Sequence, residues 1–183
     1  STAHTGGSVS VISGLGSATS SGVFSIKTAD AGANGVSGAL HFNSGTTSKG
    51  SSGLISIETG IAAKGISGAV SLVVGSGDLA TGGRVAINAG LSTAHTGGSV
   101  SVISGLGSAT SSGVFSIKTA DAGANGVSGA LHFNSGTTSK GSSGSITLET
   151  GAATKGIAGS VSVVIGSGNV NSGGRITINA GSS

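Results

Sequence analysis

Eight Lys and Arg, five Asp and Glu, and four His are the only side chains of this 183-residue chain suited to proton transfer or charged ligands. Their spacing assembles little chemistry. His41 and His132 fall between two apolar neighbours, His4 and His95 fall in Gly- and Thr-rich segments, and none has a second ligand type at metal spacing. A calcium ladder of the Gly-Gly-x-Gly-x-Asp kind needs an Asp on every repeat; only Asp78 has a partial context, and its counterpart is Asn169. Asp30 with Lys27, and Glu58 with Lys49 or Lys64, could be read as acid/base pairs, but glycoside cleavage needs two carboxylates facing one cleft. The acids Asp30, Glu58 and Asp78 are scattered over different segments, so no enzyme, metal or cofactor is expected.

Other chemistries lack their motifs. Thr46-Thr-Ser-Lys-Gly50 does not follow the order of a phosphate-binding loop, and no Ser occupies a Gly-x-Ser-x-Gly elbow. A net charge of +3 without a basic run or aromatic platform argues against nucleic acid. No run of about 18 apolar residues suits a bilayer, and the first residues do not resemble a signal peptide, so the expectation is a soluble chain that need not begin at its native N-terminus. The absence of Cys excludes disulfides, and with 37 Ser, 18 Thr and no Asn-x-Ser/Thr sequon, glycosylation would be O-linked.

The elements that would carry these residues are repeats. Ser1 to Gly53 recurs unchanged as Ser92 to Gly144, an offset of 91, and Leu54 to Leu91 recurs as Ser145 to Ser182 with sixteen substitutions and no insertion. This predicts unit 1 over residues 1–91 and unit 2 over 92–183, continuous with each other and part of a longer array. Within each unit a phrase Gly-x-Φ-x-Φ, with Φ apolar, begins at Gly7, Gly22, Gly38, Gly53, Gly68 and Gly83, then at Gly98, Gly113, Gly129, Gly144, Gly159 and Gly174. Successive glycines are 15 residues apart, except for two steps of 16 ending at Gly38 and Gly129. The extra residue is expected near Asp30 to Asn34, or its repeat, outside the phrase.

Alternation of Φ and x is the mark of a strand with one covered face, and 38 Gly supply corners between strands. The fold expected is an all-β single-chain β-solenoid (β-helix): flattened, with parallel sheets, about 15 residues per coil and twelve coils. Its core would be one continuous column of Val9, Val11, Phe24, Ile26, Leu40, Phe42, Ile55, Ile57, Val70, Leu72, Val85 and Ile87 with their second-unit partners. The small residues Gly16, Thr47, Ala62, Gly77 and Ser92, at equivalent places, would line a facing wall. Conservative exchanges at Φ, such as Leu72 for Val163, against freer ones outside, such as Leu54 for Ser145, agree with that assignment.

Phrases such as Gly75-Ser-Gly-Asp-Leu-Ala-Thr-Gly-Gly-Arg84 and Val36-Ser-Gly-Ala-Leu-His-Phe42 resemble the Gly/Ser/Thr-rich tandem-repeat β-solenoids of secreted algal, diatom-like proteins, over the whole chain. The resemblance implies an extracellular wall, sheath or fibril and no catalytic residues. Both ends of the chain fall inside a coil, which predicts a structural protein that builds a fibre by continuous coil stacking, with itself as partner, head to tail or within a longer chain. The alternative is a surface-binding module presenting a regular Ser/Thr face to ice, mineral or polysaccharide. Lys49 and Lys64, repeated as Lys140 and Lys155, are the surface-contact residues for glycans or neighbouring fibres; neither nucleic acid nor membrane is expected.

Overall fold

The structure is a computed structural model that describes residues 6–78, 81–168 and 173–181. It divides into two units, Ser1–Ile87 and Asn88–Ser183. The division falls four residues before the repeat boundary at 91, just after the last Φ of the sixth phrase.

Among the described residues there is neither helix nor strand, which overturns the all-β solenoid. The physical reason lies in where each phrase begins. A parallel stack would set Gly22 beside Gly7, one coil below. Instead the Gly22 N–H donates to the Gly14 carbonyl at 3.0 Å, so the second phrase starts beside a residue three positions past the end of the first at Val11. In the second unit, Gly98 donates to Gly90 and Gly113 to Gly105, both at 2.9 Å. These three segments therefore close on themselves within nine residues, and among the described residues the phrase N–H and C=O groups do not enter the ladder that defines a sheet.

The reversals keep the period that the glycines announce. Bends lie at 17–19, 48–50 and 63–65, then at 93–95, 108–110, 139–141 and 154–156, and in the 16-residue steps a turn lies at 33–34 and again at 124–125. Outside the longer steps, each phrase glycine from Gly22 onward faces the residue nine positions earlier: a methyl on Gly53 would lie 3.6 Å from the Ser44 Cβ, and one on Gly144 3.7 Å from the Ser135 Cβ. In the longer steps the facing residue is ten positions back, Thr28 for Gly38 and Thr119 for Gly129. The extra residue thus lies between Thr28 and Gly38, where the spacing places it. It is absorbed by a β-turn in which Gly35 N–H donates to the Gly32 carbonyl at 3.0 Å, as Gly126 does to Gly123.

The expected core is not formed. Val9, Val11, Phe24, Ile26, Leu40, Phe42, Ile55, Ile57, Val70, Leu72, Val85 and Ile87 are all solvent-exposed, from 48% at Val85 to 93% at Val9. With 16.7 kDa of chain, the 18270 Å² left accessible compares with about 7,600 Å² for a folded monomer of that mass. Two apolar side chains per phrase, flanked by Gly, Ser and Ala, have no opposing wall here because the local closures turn the chain before a second layer can meet the first.

The alternation nevertheless has a physical trace. Phe24 is 55% exposed while its neighbour Val23 is 92% exposed, and Ile55 is 51% against 88% for Leu54. The side preference of a strand is present without its hydrogen-bonded partner.

Candidate functional site

The most enclosed positions are small residues at the closures. Among the described residues only Ser13, Gly16 and Thr28, then Ser92, Ser104, Gly107 and Thr119, are half-buried. Gly16 packs against the backbone carbonyl of Ser20, and Gly107 against that of Ser111, so closely that any Cβ would collide with main chain. Only glycine permits that approach. At Gly83 and Gly174 the neighbour is a side chain instead: an added Cβ would meet Val74 Cγ1 at 2.5 Å and Ile165 Cγ2 at 2.7 Å.

At three of the bends one position shapes the bend through its hydroxyl. Nine residues after the phrase glycine, the hydroxyl of Thr47 accepts the Gly50 N–H at 3.1 Å, Thr138 accepts that of Gly141 at 3.1 Å, and Ser92 accepts that of His95 at 3.0 Å. These are side chain to backbone caps of the Ser/Thr-turn kind. The sequence reading assigned Thr47 and Ser92 to an inward small-residue wall; their role in the structure is to hold the bend. A hydroxyl three residues before the apex N–H was the signal. Where the same place holds Ala62 or Gly16, no hydroxyl is available for such a cap.

The four lysines occupy the middle of bends: Lys49 in 48–50, Lys64 in 63–65, Lys140 in 139–141 and Lys155 in 154–156, all exposed. The hydroxyl caps enclose Lys49 and Lys140. Asp30, Lys27, Asp78, His41 and His132 are likewise exposed and are not gathered into a cluster. Glu58 accepts a hydrogen bond from the Ser56 hydroxyl at 2.5 Å; at Glu149 the corresponding residue is Thr147. His4 and Asn169 lie outside the described residues. Among the described residues no group of three or more His, Cys, Asp and Glu is placed to hold a metal ion, and none of them lines an enclosed cavity.

What the geometry offers chemically is a series of exposed apolar pairs separated by polar, locally closed reversals. No known protein family matches the chain, and neither a curated protein nor a solved structure matches it.

Proposed function

We propose that this chain is a non-catalytic structural repeat segment of an extracellular fibre, and that it acts by associating with further copies of itself. The observation that carries the reading is the exposure of every phrase apolar side chain in a chain that is 36% hydrophobic and only 7% charged. Such surface is costly in water, at about 25 cal/mol per Å², and its burial against another copy would favour association. Because the same phrase recurs at a near-constant interval, a contact that suits one repeat suits the next, and association between identical repeats has no built-in stopping point. The extracellular setting rests on the resemblance to secreted algal repeat proteins. Sedimentation velocity over a rising concentration series, with negative-stain microscopy of the same samples, tests the proposal. Growing mass and filaments support it, and a monomer throughout the series refutes it.

A second reading rests on a separate observation. Four of the eight basic residues sit at bend centres, where an ammonium group on a flexible stem is presented to solvent, and they offer a contact for acidic polysaccharide. Retention on a sulfated dextran column that falls with salt and with Lys→Ser changes at 49, 64, 140 and 155 supports it; equal retention of the variant overturns it.

A further inference from the structure

Eight Asn occur in the chain, but only Asn34 and Asn125 are followed by Gly, and both pairs fall in the hydrogen-bonded turns that absorb the sixteenth residue. Asn34 sits at the third position of the Gly32–Gly35 turn, exposed, with the Gly35 N–H bonded to the Gly32 carbonyl at 3.0 Å; Asn125 repeats this with Gly123 and Gly126. The glycine nitrogen is the atom best placed to attack the Asn side chain, since it is joined to it through a five-membered path and carries no Cβ on the adjoining carbon to hinder approach.

We propose that Asn34 and Asn125 are sites of spontaneous deamidation, which converts each repeat's turn from neutral to anionic. The Gly35 nitrogen, having lost its proton to hydroxide, attacks Asn34 Cγ. A C–N bond forms, the side-chain amide C–N bond breaks, and ammonia leaves with the proton returned by water. Water then opens the succinimide at one of its two carbonyls. One route gives Asp; the other gives isoaspartate, in which the backbone runs through Cβ and gains one methylene. No oxidant or enzyme is required. Conversion at both sites lowers the formal net charge from +3 to +1 at pH 7. The turn regulates the step, because the nucleophilic nitrogen is free to react only while its hydrogen bond to Gly32 is open.

The test has an internal control. Cleavage after Lys27, Lys49, Lys118 and Lys140 releases residues 28–49 and 119–140, which are identical in sequence and each carry one Asn-Gly and one Asn-Ser pair, Asn34 with Asn43 and Asn125 with Asn134. The intact protein is incubated in mildly alkaline buffer, cleaved, and the two sites followed by fragmentation mass spectrometry. The expected result is loss of the amide at Asn34 and Asn125 while Asn43 and Asn134 keep theirs, with aspartyl and isoaspartyl products separating chromatographically. A Gly35→Ala, Gly126→Ala chain should lose this conversion. The nearest atoms to the added methyl groups are the Ala31 Cβ at 3.6 Å and the Ala122 Cβ at 3.5 Å, with the Gly32 and Gly123 backbone at 3.7–3.8 Å, all ordinary contacts that the turn accommodates. Conversion at Asn43 and Asn134 as fast as at the glycine sites, unchanged conversion in the double variant, or no conversion at all would overturn the proposal. Each readout is independent of whether the chain assembles.

Discussion

The phrases and the reversals of this chain divide labour in the opposite way from an ordinary domain. In the phrases, large side chains such as Phe24, Leu40 and Ile55 stay in water; in the reversals, Ser13, Gly16 and Thr28 are the residues that become half-buried. Local shape is held by main chain and hydroxyl groups over short spans, and apolar surface is left for something else. A periodic apolar pattern therefore specifies which side of a segment is apolar, and not which neighbour will cover it.

The largest expected effect separates the two regions by removing the first. Phe24, Ile26, Phe115 and Ile117 changed to Ser should weaken self-association, because each buried aromatic or aliphatic side chain contributes roughly 1.5–3 kcal/mol to a contact. The reversals should be untouched. Sedimentation velocity reads the first statement and the Gly22 and Gly113 amide exchange rates read the second. Faster exchange in this variant would show that phrases and reversals are not independent.

The next effect removes the second region. Gly16→Ala with Gly107→Ala drives a Cβ into the Ser20 and Ser111 carbonyls, and a closure held by one backbone hydrogen bond, worth about 0.5–1.5 kcal/mol net, should open. Amide exchange at Gly22 and Gly113 should then approach that of an unstructured peptide, while Gly98, closed by a different segment, keeps its rate. Retained protection at Gly22 would mean that the close approach of Gly16 is not what shapes the reversal.

Smaller still is the loss of a bend cap. Thr47→Val keeps the side-chain shape, removes the hydroxyl that accepts the Gly50 N–H, and should weaken that bend by about 0.5–1 kcal/mol. Gly50 should exchange faster in the variant and Gly141, capped by Thr138, should not. The least effect is expected for Gly83→Ala, where the obstacle is one methyl of Val74, which can turn away. A chemical-shift change confined to Val74 fits; loss of the neighbouring bend would place Gly83 with Gly16.

Much of the local organisation was legible in the residues themselves. The glycine period matched the interval between the described bends, though these fall beside Gly16, Thr47 and Ala62 in the segment read as a facing wall; the 16-residue steps located the added turn between Thr28 and Gly38, and the alternation at Val23-Phe24 and Leu54-Ile55 gave the side preference. The coil stacking expected from the period is not formed, because a parallel ladder depends on contacts 15 residues apart whose loop-closure cost no periodicity reveals. Contacts eight or nine residues apart, such as Gly14 with Gly22, compete for the same backbone groups at lower cost and prevail here. The hydroxyls of Thr47 and Ser92 were misassigned for a related reason: small residues at one phase look alike as wall-lining groups, and only their relation to the N–H three residues on distinguishes a cap.

The local closures also give the chain a mechanical character. Gly14 and Gly22 are held together across eight residue steps, a length of chain that could reach at most roughly 26–29 Å when drawn straight. This closure, like those of Gly90 with Gly98 and Gly105 with Gly113, is thus a store of slack fastened by one backbone hydrogen bond. Under tension the closures would release one by one at low force, lengthening the segment gradually with no cooperative rupture, and each would refasten when the load is removed because its two glycines remain near neighbours along the chain.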